Sequence, residues 1–191
     1  MVFAAALSSL LVALAPLSVP QEPAATSAKD PAASSWPSYH GRFGCGYADG
    51  FATPTEWDVE TGKNIAWSTA IPGLSHSSVV VYGDRLFVNT AVRKGAGDAE
   101  LKVGLYGSIG SVEDDAKHEF RLLCLNKSDG KVRWSKIVWQ GVPAIKRHPK
   151  GSHAASTPAT DGVHVAVFHG SEGLHLYTVD GEIGFYTEFF Q

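Results

Sequence analysis

The chain has 191 residues, of which 44% are hydrophobic and 18% charged, and its formal net charge is −3. This composition is typical of a globular domain and excludes a largely disordered chain. The weak acidity also argues against a nucleic-acid partner, because phosphate binding needs clustered Lys and Arg. The short basic stretch at residues 145–150 is interrupted by a proline and is interpreted as a solvated loop.

Residues 1–28 are interpreted as a signal peptide or an N-terminal hydrophobic segment. Residues 2–19 are almost wholly apolar, and the segment that follows, up to residue 35, is rich in Pro, Ala and Ser. An export signal is the working hypothesis, which predicts a periplasmic or cell-envelope protein. Two alternatives stay open. One is an uncleaved anchor, the segment through which any membrane contact would be made, and the other is a cytosolic protein with a wrongly assigned start.

The sequence contains two cysteines, Cys45 and Cys124. In an oxidising compartment they can form a disulfide, but their positions along the chain do not decide whether they do. Cys124 lies in the apolar run "FRLLCLN", which favours a small buried side chain. Neither cysteine belongs to a metal-binding spacing, so the pairing is left open.

After a linker and lead-in segment at residues 29–57, the chain is predicted to form β-strands. Short runs rich in Val, Ile, Phe, Tyr and Thr alternate with Gly-containing turns, and no window sustains a helical period. Four hairpins are predicted, with turns at residues 83–84, 126–130, 161–162 and 180–181. The glycines suit these turns because tight hairpins require positive φ angles.

The predicted hairpins recur in a fixed order. "SSVVVYGDRLFV" aligns with "STPATDGVHVAV", and "NKSDGKVRW" aligns with "TVDGEIGF", so that Gly130 falls on Gly181 and Trp134 on Phe185. The stretch "DVETGKNIAWSTAIPG" at residues 58–73 has the same turn and aromatic residue, and it is interpreted as the fourth strand of a preceding unit. Once the insertion at residues 93–117 is set aside, four-stranded units repeat at the spacing of β-propeller blades, about 40–50 residues.

The recurrent aromatic residue predicts packing between neighbouring sheets. A large aromatic side chain on the outermost strand can bury on the order of 150–250 Å² against the next sheet. The polar turn before it fixes the register, because a one-residue slip would turn the aromatic ring to the other face. The predicted blade-docking residues are Asp58, Gly62, Trp67, Gly130, Trp134, Gly181 and Phe185.

The pattern Asp-x-x-Thr-Gly-Lys followed by a tryptophan resembles the tryptophan-docking motif of the pyrroloquinoline-quinone (PQQ)-like β-propeller repeat family. "DVETGKNIAW" carries it with one inserted residue, and "NKSDGKVRW" carries it with Asn in place of Asp. "WPSYHGRFGCG", at residues 36–46, is similar to the segment before the first blade in exported bacterial members of the BamB type. The resemblance covers residues 36–191.

This resemblance implies an all-β fold, with an incomplete propeller of four-stranded antiparallel blades at residues 58–191. About two blades are expected, together with the last strand of a preceding one. A closed propeller has about 4 to 8 blades, so the hypothesis is that the sequence is a fragment of a longer propeller. Such a fragment exposes blade faces and edge strands and is expected to aggregate.

The resemblance also implies a non-catalytic, exported scaffold for binding or assembly, whose loops present a surface to a protein or carbohydrate partner. Dehydrogenase members of the family carry adjacent cysteines, a Ca²⁺ site of Glu and Asn side chains, and a catalytic Asp. This sequence has no adjacent cysteines and no recognisable Glu/Asn calcium set, so no catalytic residue and no cofactor is assigned. The alternatives are a quinoprotein oxidoreductase that uses PQQ and calcium, and a sensor propeller of a larger multidomain protein.

Three of the eight histidines are candidate metal ligands. His76, His148 and His153 precede predicted first strands, which line the channel of a propeller, and imidazoles there suit zinc or copper. The alternative is neutral imidazoles in polar loops. The remaining strand histidines, among them His169 and His175, are expected at surface or inter-strand positions.

Overall fold

The computed structural model describes residues 34–48, 53–95, 110–112 and 115–187, and these residues form two four-stranded antiparallel sheets. The first sheet contains β1 (Val80–Tyr82), β2 (Arg85–Arg93), β3 (His118–Asn126) and β4 (Val132–Gly141). The second contains β5 (Ala159–Thr160), β6 (His164–Phe168), β7 (Leu174–Thr178) and β8 (Ile183–Thr187). Strands follow one another in chain order in both sheets. The prediction of an all-β chain is confirmed.

Short turns connect most of the strands. The β3–β4 and β7–β8 turns contain Gly130 at φ 70° and Gly181 at φ 87°, which are backbone angles that favour glycine. The β6–β7 connection contains a 3-10 turn at Gly170–Glu172, and no α-helix occurs in the part of the chain that the structure describes. In that same part, no helix is long and apolar enough to cross a membrane. Residues 1–28, the predicted signal, lie outside the described residues.

The core lies between the two sheets. One face of the first sheet packs against the face of the second sheet formed by alternate residues of β6 and β7. We call this contact the sheet interface. Its buried apolar residues are Val80, Phe87, Leu122 and Cys124 of the first sheet and Val165, Val167 and Tyr177 of the second.

The two sheets are aligned in parallel across this interface, so that equivalent segments lie side by side. The segment before β1 runs beside the segment before β5: His76 N–H donates to the Ala154 carbonyl at 3.1 Å, and Ser78 N–H donates to Thr157 Oγ1 at 3.0 Å. Strands β1 and β5 are therefore neighbours, as expected if each sheet repeats the arrangement of the other.

The segment at residues 58–73 differs from its prediction as a fourth strand. It lies wholly within the described residues 53–95, and there it forms no strand, only an isolated bridge between Asp58 and Lys63. A strand requires a neighbouring strand to pair with along its length, and this segment is paired with none of the strands in the described residues. Its side chains contact the first sheet instead, and Leu74, directly after the segment, forms a bridge with Ala91 of β2.

Candidate functional site

Trp134 lies at the sheet interface and is bonded to the second sheet. Its indole N–H donates to the Val179 carbonyl at 3.1 Å, and its ring centroid lies 6.0 Å from that of Phe87. The ring is seated against Gly181, where an added Cβ would come within 2.9 Å of the ring carbon Cδ2. Because the turn has no side chain at this point, the aromatic ring packs directly on its backbone.

Trp67 makes the corresponding contact with the first sheet. Its indole N–H donates to the Lys127 carbonyl at 3.0 Å, and an added Cβ at Gly130 would overlap its ring. Thr69 Oγ1 also donates to the Gly130 carbonyl, at 2.8 Å. Four of the predicted docking residues therefore form two like pairs, in which a tryptophan packs on a turn glycine and donates to a nearby carbonyl.

Asp58 and Gly62 form the turn that precedes Trp67. Asp58 Oδ1 accepts the Thr61 N–H at 2.9 Å, and this hydrogen bond lowers the pKa of the Asp58 carboxyl. Gly62 has a φ of 74° with open space around it, so only the backbone conformation favours glycine there. Both residues are exposed and shape the turn rather than contact a neighbouring sheet.

Phe185, the third aromatic residue of the repeat, is 55% exposed. It lies on the face of the second sheet opposite to the buried Val165 and Tyr177, in a row of paired residues that crosses all four strands. We call this the outer row: Ala159, Ala166, Leu176 and Phe185. The equivalent row of the first sheet is Val80, Phe87, Cys124 and Trp134, of which the first three are buried and Trp134 is partly buried at the sheet interface.

A shallow groove of about 340 Å³ lies over part of the outer row. Ala159, Ala166 and Leu176 line it, together with Pro37 and Ser38 of the lead-in segment and with Thr160, Asp161 and His164. Its mostly apolar lining and open shape suit a flat apolar partner better than an enclosed small molecule.

Charged side chains fix the turn on which Trp134 packs. Arg85 Nη1 donates to the Val179 carbonyl at 2.6 Å and to Asp180 Oδ1 at 2.7 Å, so that carbonyl accepts from both Arg85 and Trp134. On the first sheet, Arg133 Nη2 bonds Asp84 Oδ2 at 2.5 Å and holds the pKa of that carboxyl below its usual value. The turns at both sides of the interface are therefore held by ion pairs as well as by packing.

The three predicted metal ligands are not arranged as a metal centre. His76 and His148 are exposed loop residues, and His148 Nδ1 accepts the Lys150 N–H at 3.1 Å. His153 packs against other rings, with its centroid 5.1 Å from that of His118. Across the described residues, no three His, Cys, Asp or Glu side chains are placed to hold a metal ion.

A cluster of buried histidines was not predicted from the sequence. His118, His169 and His175 are 2%, 3% and 2% exposed, whereas His169 and His175 were expected at surface or inter-strand positions. Burial, together with the neighbouring His175 and His153, lowers the pKa of His169 to about 3. Strand alternation gives a signal for His175, which shares the inward face of β7 with Tyr177, and for His118, which shares a face of β3 with Phe120.

Both cysteines are free, which answers the question that the sequence left open. Cys45 is exposed, and Cys124 is fully buried in the sheet interface. Burial raises the pKa of the Cys124 thiol to about 11. Cys124 is therefore a packing residue at this interface.

The geometry described above consists of repeated packing contacts, an uncovered apolar row and one buried imidazole cluster. A scan against protein-family models finds no matching family, and a search of curated proteins finds no match. The function is therefore inferred from the contacts of the chain itself.

Proposed function

We propose that the two sheets are consecutive blades of a PQQ-like β-propeller, and that this exported protein is a non-catalytic scaffold for binding or assembly. The observation that carries the proposal is the repeated contact of a tryptophan with a turn glycine, Trp67 with Gly130 and Trp134 with Gly181. Each contact joins one unit to the turn before the last strand of the next. A contact repeated in this direction is the one expected of blades arranged around an axis.

The parallel alignment of the sheets supports the same interpretation. Their first strands are neighbours, and Trp134 of β4 contacts the turn that precedes β8. In a propeller, each strand lies nearest to its equivalent in the next blade, and the first strands are the innermost. The hydrogen bonds between the segments before β1 and β5 fit such an inner position.

The outer row indicates where the scaffold binds. Its four residues are equivalent to a row of the first sheet in which Val80, Phe87 and Cys124 are fully buried and Trp134 is partly buried, yet Phe185 remains 55% exposed. Large uncovered apolar surfaces mark interaction sites in soluble proteins. A protein partner with a flat, apolar surface of β-structure fits this face, and a carbohydrate is a second partner class that the blade loops can accept.

The proposal is tested by the association state of the purified chain. Sedimentation velocity is expected to show self-association that the double variant Leu176→Lys/Phe185→Lys abolishes. Ile137→Lys is the matched control, because Ile137 is 46% exposed on the first sheet and lies outside the outer row. A compact monomer in the unmodified chain, or equal effects of both variants, would refute the outer row as a binding face.

A second measurement separates the scaffold from a quinoprotein oxidoreductase. The protein is incubated with PQQ and Ca²⁺, and the reduction of an artificial dye is followed with alcohols and sugars as substrates. No reduction above the protein-free rate is expected. Turnover that requires both PQQ and Ca²⁺ would reject the non-catalytic proposal and favour the enzyme.

A further inference from the structure

Four imidazoles lie together at one end of the sheet interface, and we call them the imidazole cluster: His118, His153, His169 and His175. They pack around Phe120, with His169 stacked on its ring at a centroid distance of 4.9 Å and His153 at 5.6 Å. The ring of His175 lies 5.9 Å from that of His169. Because Phe120 and His118 belong to the first sheet and His169 and His175 follow or belong to strands of the second, the cluster joins the two sheets.

The cluster is a poor environment for positive charge. His169 is 3% exposed, and neither of its ring nitrogens has a hydrogen-bond partner. The titratable groups that act on it are His175 and His153, and the charged form of an imidazole is a cation. A proton on His169 would therefore be buried, without a hydrogen-bond acceptor, beside two rings that can carry only positive charge.

The acidic groups on adjacent elements are already engaged. Glu172 Oε1 accepts the Ala144 N–H at 2.8 Å and the Ser171 hydroxyl at 2.6 Å. The Glu119 carboxylate on β3 is bound by Lys94 and Arg121. Arg147, a buried cation on the connection that carries His153, donates to the Gly151 carbonyl at 3.2 Å and adds positive charge rather than negative.

We propose that the imidazole cluster is an acid-sensitive contact, whose protonation separates the two sheets at the Phe120 end while the apolar end of the interface stays closed. The apolar end contains Phe87, Leu122, Val165 and Val167, and burial raises the pKa of its two titratable members, Cys124 and Tyr177, away from the acid range. Opening therefore remains local. This inference holds whether or not the sheets are propeller blades, because it depends only on how they are packed together.

The direction of the pH dependence follows from the pKa of His169 in the closed and in the opened state. In the closed state its pKa is lowered to about 3, and in an opened state the ring regains the ordinary value of 6.5. The closed form is thus fully favoured at pH values above the ordinary histidine pKa, and it loses stability as the pH falls below that pKa. For each proton taken up on opening, the ratio of open to closed molecules rises about tenfold per pH unit.

Two tryptophans report on the two ends of the interface. Trp139 lies 4.9 Å from Phe120 at the histidine end, and Trp134 lies 6.0 Å from Phe87 at the apolar end. The full chain is labelled with 5-fluorotryptophan, and fluorine NMR spectra are recorded from about pH 7.5 to about pH 4.5, a range that spans the ordinary histidine pKa. The resonances are assigned with Trp139→Phe and Trp134→Phe. The Trp139 resonance is expected to move toward its position in urea, while the Trp134 resonance stays in place.

His169→Phe keeps a ring against Phe120 and removes the proton acceptor, and His76→Phe makes the same change at an exposed site. In His169→Phe, the open fraction at about pH 5 is expected to fall at least about threefold, whereas His76→Phe should match the unmodified chain. If His169→Phe does not fold, His175→Phe replaces it. In that case the free energy of unfolding of the unmodified chain is also measured against pH, because its slope gives the number of protons taken up on unfolding. It must show proton uptake between about pH 7 and about pH 5.

Three results would overturn the proposal. The first is a joint shift of both tryptophan resonances, which means global acid unfolding. The second is a Trp139 resonance that is unchanged down to about pH 4.5, which means that no acid-sensitive contact exists. The third is a shift of Trp139 caused by Zn²⁺ alone at neutral pH and lost in His169→Phe. That result would identify the cluster as a metal site instead.

Discussion

The ring of Trp67 lies directly on Gly130, in the space that a Cβ at that position would occupy. Gly130→Ala therefore has two costs: the positive φ of 70° and the displacement of the indole. Gly62 allows the two costs to be separated, because it has a similar φ of 74° but nothing lies within 4 Å of a Cβ added there. Gly62→Ala should cost about 1–2 kcal/mol from backbone conformation alone.

Gly130→Ala should lower the free energy of unfolding by about 1–3 kcal/mol more than Gly62→Ala, as expected for overpacking. Urea denaturation followed by far-UV circular dichroism measures both variants under the same conditions. Equal losses in the two variants would mean that Trp67 contributes nothing by packing on this turn.

The hydrogen bond of Trp134 can be separated from its packing. Trp134→Phe keeps an aromatic ring against Gly181 but removes the N–H that donates to the Val179 carbonyl. The carbonyl still accepts from Arg85, so the loss in unfolding free energy should be about 1 kcal/mol. Trp134→Ala removes the ring as well and should cost about 3–5 kcal/mol. Similar losses in both variants would show that the hydrogen bond, rather than the ring, stabilises the interface.

The strand pattern was predictable because local signals set it. Runs of β-branched and aromatic residues end at Gly-containing turns, and the structure has paired strands on both sides of each turn, such as those at Gly83 and Gly162. The alignment of Trp134 with Phe185 also corresponds to equivalent rows in the two sheets. These features depend on alternation and turn chemistry, which neighbouring residues determine.

The imidazole cluster could not be predicted in the same way. His118 and His169 are 51 positions apart in the sequence (169 minus 118) and come together only because the two sheets stack. His175 lies two residues before Tyr177 and so shares its face of the strand, which indicates an inward position. Histidine is polar, however, so a strand histidine also suits the surface. The segment at residues 58–73 shows the opposite case, since its sequence suits a strand but it pairs with no strand of the described residues.

Asp161 gives the turn between β5 and β6 a dependence on pH. Its Oδ1 accepts the N–H groups of His164 at 2.6 Å and Val163 at 2.8 Å, which lowers its pKa from 3.8 to about 2. Since the folded value lies below the unfolded one, the stabilisation is present above the unfolded value and is lost as the pH falls through the folded value.

Asp161→Asn should flatten this part of the pH profile. The Asn carbonyl can still accept one N–H, but it does not titrate, and because the carboxylate is exposed the change should be about 1 kcal/mol or less. Unfolding free energies between about pH 5 and about pH 2 provide the measurement. Glu182→Gln, which makes the same carboxyl-to-amide change at an exposed turn position of the same sheet, is the control. An unaltered profile in Asp161→Asn would contradict the assignment.

The two cysteines should differ sharply in reactivity. Cys45 is exposed, whereas Cys124 is fully buried and its pKa is raised to about 11 by loss of solvent. A thiol reacts as its thiolate, so Cys124 is protected both by burial and by protonation.

Titration with a chromogenic disulfide reagent at about pH 8 should detect one thiol in the native chain and two in denaturant. Cys45→Ser should remove the native signal, and Cys124→Ser should leave it intact. Two rapidly reacting thiols in the native chain would mean that the sheet interface around Cys124 is open, and a total of none in denaturant without reductant would mean that the cysteines are paired.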